Sequence, residues 1–112
     1  QAIRPFLEHL YPPGSECLVP SNEATLVCRC EEVSAGQIRE SLTWGALNMS
    51  QIKAFTRCGM GPCQGRMCGL TVAEIIAHAQ GKSPSEVGFF RGRPPNKPIT
   101  LGQLAGQVKN QN

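Results

Sequence analysis

The sequence predicts an all-α domain built on a small helix–turn–helix, with extended N- and C-terminal arms. Three observations predict it. Three segments open on a capping pair, Ser34 with Gln37, Asn48 with Gln51 and Thr71 with Glu74, and continue with apolar residues at helical spacing. No stretch of useful length alternates apolar and polar residues with the period of a strand. Prolines and glycines gather between and beyond these segments, as turns, a loop and an arm require.

In chain order, Ile3, Leu7 and Leu10 fall at helical spacing, with Phe6 and Tyr11 beside them, and Pro12-Pro13-Gly14 ends that helix. Residues 14–27 are polar and turn-rich until Leu26-Val27, and read as a connector. The Ser34 helix carries Ile38 and Leu42 on one face and stops at Gly45, and the Asn48 helix carries Ile52 and Phe55. Residues 57–69, RCGMGPCQGRMCG, form a loop at least through Gly65. The Thr71 helix presents Val72, Ile75, Ile76 and Ala79 and ends at Gly81. Ser83 to Glu86 reads as a turn or a short helical start, residues 91–98 as an extended Pro-rich arm, and Thr100 with Gln103 as a last helical start before a polar tail. The organisation is therefore an N-terminal helix and connector over 1–25, a helical domain over 26–81 and a C-terminal arm over 82–112.

Composition bounds the function. The 112 residues suit one domain with tails, and aromatics at 5% leave Leu, Ile, Val and Ala to build a thin core. A bound cofactor would help hold such a chain together. The net charge of +3 comes with no Lys/Arg stripe interleaved with aromatics, so nucleic acid is not an expected partner. The second helix of the helix–turn–helix has only Lys53 before Arg57, too little charge to grip phosphate. No apolar run reaches the roughly 20 residues of a membrane span, and no secretory signal is visible, so the expectation is a cytoplasmic protein. The chain starts at Gln1 without a Met, as a piece of a longer polypeptide would.

Six cysteines in a reducing compartment point to metal or redox chemistry rather than disulfides. Cys28 and Cys30 form a C-x-C pair, which would strain a mutual disulfide but suits a shared metal centre. After thirty-two intervening residues come Cys63 and Cys68. Two close pairs separated by one supersecondary unit can close a four-thiolate cage around an iron–sulfur centre or a structural zinc. C-x-C is less usual for a zinc ribbon, which prefers C-x2-C. Cys58–Cys63 and Cys63–Cys68 share one spacing, so spacing alone does not choose between them. Position favours the second pair, because Cys58 follows directly on a helix, whereas glycines surround Cys63 and Cys68. Those glycines would let backbone N–H groups approach inorganic sulfides. Arg29, Arg57 and Arg66 would either favour a reduced, more negative centre or pair with Glu31 and Glu32.

The stretches CRCEEVSAGQIRE and TRCGMGPCQGRMCG resemble the bacterioferritin-associated-ferredoxin-like [2Fe–2S] domain. The resemblance is to the version in the FAD-containing subunit of bacterial opine, hydroxyproline and sarcosine-type oxidoreductases and of hydrogen cyanide synthase. It covers residues 26–81, and the flanks IRPFLEHLYPP and RGRPPNKPITLGQLA are similar to the same branch. It implies two helix–turn–helix units at a steep angle, with a [2Fe–2S] cluster on Cys28, Cys30, Cys63 and Cys68. The C-x4-C spacing departs from the C-x-x-C of the stand-alone ferredoxin and fits the flavoprotein-fused branch. The implied role is electron transfer from FAD, held in another part of the chain or a partner subunit, to a further acceptor. The flavoprotein domain or the other subunits of the complex would be the partners, and this segment alone would not be catalytic. Gly59-x-Gly61-x3-Gly65 has the wrong spacing for a dinucleotide fingerprint. The competing class is a zinc-stabilised helical module that docks subunits.

The remaining conspicuous residues have plainer readings. Trp44 and Phe55 are expected to fill the core beside the centre, Cys17 to be a partly buried small hydrophobe, and Cys58, a fifth candidate ligand, to be an ordinary cysteine near the centre. His9 and His78 have no partner at ligand spacing.

Overall fold

The capping pairs account for most of the helices in the computed structural model, which describes residues 2–92 and 98–108. Ser34 Oγ accepts from the Gln37 N–H at 3.3 Å while Gln37 Oε1 accepts from the Ser34 N–H at 2.9 Å, a complete box that opens a helix at Ala35–Thr43. Asn48 Oδ1 accepts from the Gln51 N–H at 3.0 Å and opens a helix at Met49–Thr56, but Gln51 turns its own side chain to the Leu47 N–H. The Thr71–Glu74 box is not used. The following helix already starts at Gly69, capped by Cys68, because the Gly69 and Val72 N–H groups reach back to Gly65 and Cys68. That helix runs to Gln80 and ends on Gly81 in the left-handed region.

In chain order the elements are α1 Arg4–Leu10, α2 Ser15–Leu18, β1 Leu26–Cys28, β2 Val33–Ser34, α3 Ala35–Thr43, α4 Met49–Thr56, α5 Gly69–Gln80, α6 Pro84–Val87 and α7 Leu101–Val108. The domain is mostly helical, with a two-stranded sheet that the all-α expectation lacked. β1 and β2 pair antiparallel, Leu26 with Ser34 and Cys28 with Val33. Strands of three and two residues are too short to show a period of two. The Ala35 and Gly36 N–H groups extend the pairing to the Thr25 and Glu23 carbonyls, both at 2.9 Å.

α3 packs on α4 and α5, while α2 and α6 lean on α5. Ile38, Ile52, Val72, Ile75 and Ile76 are fully buried between them, with Val33, Met49 and the small Ala35, Ala73 and Ala77. Each large aliphatic side chain so buried contributes roughly 1.5–3 kcal/mol. The buried Ser41 hydroxyl donates to the Ile38 carbonyl at 2.6 Å and so costs little. Ala79 faces outward; Ala73 and Ala77 complete the buried face of α5.

The arms differ from this core. α1 buries none of its residues, and its apolar side chains stand in solvent beside an Arg4–Glu8 ion pair of 2.6 Å. α7 begins with the Thr100–Gln103 pair as the sequence suggests, and Leu101 and Leu104 are exposed. The Pro-rich arm over 91–98 lies largely outside the described residues, as does the tail beyond 108. Among the described residues no helix is long and apolar enough to cross a membrane.

Ser34 links the sheet to α3, so its cap is a direct test of this layout. Ser34→Ala is expected to lower stability by about 1 kcal/mol. In urea denaturation the midpoint should fall with the slope unchanged.

Candidate metal centre

The sheet places the first cysteine pair. Cys28 ends β1 opposite Val33 and is buried, while Cys30 lies in the exposed turn between the strands. Glu32 takes φ 53° to close that turn, a left-handed conformation uncommon for a non-glycine residue. Glu31 accepts from Arg57 Nε at 2.9 Å, tying the hairpin to the end of α4. Arg57 is itself in the left-handed region, at φ 63°, and caps α4 with its N–H on the Lys53 carbonyl.

The second pair comes from the loop between α4 and α5. Cys58 donates its N–H to Thr56 Oγ1 at 3.2 Å. The loop then turns twice, with the Met60 N–H on Arg57 and the Gln64 N–H on Gly61, both at 2.9 Å. Cys63 is half-buried, and Cys68 is buried at the start of α5.

Cys28, Cys30, Cys63 and Cys68 all line one open cleft of about 610 Å³, together with Arg29, Met67 and Cys17. Cys58 is not among its lining residues. It is fully buried at 0% exposure, yet the sulfurs of Cys28, Cys58 and Cys68 all lie within 4.8 Å of one another. Cys58, expected as an ordinary cysteine near the centre, thus lies against two of the four cysteines the sequence singled out.

The sulfurs differ in their readiness to ionise. The Met67 N–H, helped by that of Gly65, holds the Cys63 thiol below its ordinary value. Cys68 is lowered to about 6, chiefly because the Cys58 thiol donates to it. The same hydrogen bond, together with burial, pushes Cys58 strongly up. Cys30 is raised, first by desolvation and then by the neighbouring Cys63 sulfur, against the pull of the Cys63 N–H.

Three of the loop glycines have a further reason that the sequence did not suggest. A Cβ on Gly59 or Gly65 would stand 2.8 or 2.5 Å from the Phe90 ring, and one on Gly69 would stand 2.7 Å from Phe89. These glycines make room for two aromatic rings of the C-terminal arm. Gly61 is the loop glycine that serves the cysteines: a Cβ there would fall 2.2 Å from Cys30 Cβ and 2.9 Å from its sulfur. Trp44 and Phe55 do not fill the core; they are 58% and 53% exposed and meet edge to face at 6.1 Å. Cys17 is exposed on the cleft rim instead of partly buried, and His9 and His78 are exposed. Arg57 takes the acidic partner, whereas Arg29 and Arg66 make no ion pair among the described residues.

This donor set fits a thiolate-bound metal group. Four cysteines from two loops share one cleft, a glycine lets the loops meet, and backbone N–H groups aim at one of the sulfurs. A buried triad of sulfurs also suggests a metal cofactor.

The model of the sarcosine oxidase A3 domain family matches residues 22–107. An opine oxidase subunit of Rhizobium meliloti (strain 1021) is 49% identical over 108 residues, which are 96% of this chain and 23% of that protein. The HcnB subunit of hydrogen cyanide synthase from Pseudomonas aeruginosa is 41% identical over 102 residues, 88% of this chain and 22% of that protein. The alpha subunit of sarcosine oxidase from Rhizobium meliloti (strain 1021) is 36% identical over 62 residues, 55% of this chain and 6% of that protein. The chain thus spans less than a quarter of these relatives.

Proposed function

The chain belongs to the sarcosine oxidase A3 domain family, and from that premise we propose that it is the electron-transfer domain of a flavin-dependent oxidoreductase acting on amines or amino-acid derivatives. The candidate substrates are opines, hydroxyproline or sarcosine-type amines. The observation that carries the reading is the single cleft lined by Cys28, Cys30, Cys63 and Cys68. These four would hold a [2Fe–2S] cluster, which supplies one-electron chemistry between a two-electron flavin and a further acceptor. FAD would sit in another part of the polypeptide or in a partner subunit of the same complex.

The chain's own residues have separable parts in this role. Cys28 and Cys68 are the buried inner pair, anchored by the sheet and by the start of α5. Cys30 and Cys63 are the outer pair, on the side from which a redox partner would approach. Arg29, on the cleft wall and free of an acidic partner among the described residues, would stabilise negative charge gained there. Residues 26–81 are the cluster-binding unit in this reading, and the arms are its links to the remainder of the assembly.

A zinc-stabilised docking module is the second reading. The triad of Cys28, Cys58 and Cys68 favours it, because three sulfurs within 4.8 Å can share a single ion. Reductive titration separates the two. The expected result is uptake of one electron per chain, with bleaching of the visible bands and a paramagnetic signal in the frozen sample. A colourless protein that takes up no electron would sink the relay.

A further inference from the structure

The chain retraces α5 after leaving it. Gly81 ends α5 in the left-handed region, α6 packs against α5, and Gly88 at φ 77° ends α6 in turn. Phe89 and Phe90 thereby arrive at the loop from which α5 starts. One ring serves two glycines: a Cβ on Gly59 would stand 2.8 Å from Phe90 Cζ, and one on Gly65 2.5 Å from Phe90 Cδ2. The Phe89 ring meets Gly69 in the same way. Each of these glycines lies one or two residues after a cysteine of the loop, Cys58, Cys63 and Cys68 in order. Phe90 packs on the core and is not among the residues lining the cysteine cleft. It lines instead a second cleft of about 430 Å³ with Ser50, Lys53 and Met60, where Lys53 Nζ lies 5.8 Å from the ring centroid. The ring therefore bears on the loop from a side other than the cysteine cleft.

A loop that carries Gly59, Gly61, Gly65 and Gly69 within residues 57–69 has many backbone conformations to lose. Its backbone hydrogen bonds close local turns, from the Met60 N–H to Arg57, Gln64 to Gly61 and Arg66 to Cys63. Local turns do not fix where Cys63 and Cys68 stand relative to the hairpin. A ring seated on the bare faces of Gly59 and Gly65 does, because it rests on both ends of the segment that carries Cys63. We propose that Phe90 is a positioning residue of the metal centre, an apolar clamp that holds this loop in the conformation presenting Cys63 and Cys68. The inference rests on the reading of those two cysteines as ligands. It goes beyond that reading by extending the cluster-binding unit from residue 81 to Phe90. Ligands ordered in advance spare the metal the cost of ordering them, and losing such outer support typically costs about 10–100-fold in metal affinity.

The test is the rate at which the iron-loaded protein releases its metal to a chelator, read beside the urea midpoint. Phe90→Ala removes the ring. Phe90→Leu keeps apolar contact without it. Leu42→Ala is the comparison, a truncation of a half-buried α3 side chain that packs on the core and lines neither cleft. Phe90→Ala and Leu42→Ala are both expected to lower the urea midpoint. Release should be about tenfold faster in Phe90→Ala, intermediate in Phe90→Leu and near the wild-type rate in Leu42→Ala. Release from Phe90→Ala no faster than from Leu42→Ala makes Phe90 an ordinary core contact and overturns the inference, with the relay intact. If Phe90→Ala fails to fold, Phe90→Leu decides: faster release than from Leu42→Ala supports the clamp, and an equal rate contradicts it. A wild-type protein that holds zinc and no iron overturns the relay reading, and the same assay followed for zinc then judges Phe90 separately.

Discussion

Gly61→Ala is expected to abolish metal loading. The added methyl group would stand 2.2 Å from Cys30 Cβ and 2.9 Å from its sulfur, so the hairpin turn and the second loop could no longer meet. Neither side can yield easily. Cys30 is held in a tight turn whose Glu32 is already in the left-handed region, and the Gly61 carbonyl accepts the Gln64 N–H at 2.9 Å. Overpacking costs typically about 1–3 kcal/mol, and an overlap this severe belongs at or above the upper end. The variant should lose its bound metal and unfold at lower urea than the wild type. Gly14→Ala is the control, since nothing lies within 4 Å of a Cβ there. Equal metal content in the two variants would contradict the role of Gly61 in letting the loops meet.

Cys63→Ala and Cys68→Ala are each expected to bleach the visible spectrum and release most of the iron. Cys63 carries the sulfur toward which the Met67 and Gly65 N–H groups point, and Cys68 the inner sulfur at the start of α5. Cys68→Ala should have the larger effect on stability, because the Cys68 side chain is buried whereas Cys63 is half-buried. Loop order and metal binding are linked, so amide exchange across 57–69 should quicken in both variants. Cys17→Ala should leave the spectrum unchanged. A bleached Cys17→Ala beside a coloured Cys63→Ala would reverse the ligand assignment.

Helices announced by local chemistry were legible in the sequence. Ser34 and Gln37 bond each other as a capping box should, and Pro84–Val87 opens with Glu86 accepting from the Ser83 N–H at 2.8 Å. Thr71 and Glu74 misled because helical turns already begin at Gly65 and Cys68, which puts Thr71 inside the helix. The sheet was hidden by its brevity. The loop glycines were legible as necessary but one of their reasons was not: the rings that three of them accommodate belong to Phe89 and Phe90, twenty or more residues away in sequence, and only tertiary packing brings them there. Trp44 and Phe55 show the same limit in reverse, as large apolar side chains that find each other on the surface instead of the core. Of the centre, the cysteine spacing conveyed which residues share a cleft. It did not convey that Cys58 lies against two of their sulfurs, because α4 and α5 set that depth.

Whether Cys28, Cys30, Cys63 and Cys68 hold an iron–sulfur cluster is tested most directly by the iron, acid-labile sulfide and zinc content of anaerobically purified protein. The expected result is about two irons and two sulfides per chain, with no zinc, in a red-brown sample. A colourless protein holding one zinc per chain after cluster reconstitution would contradict it.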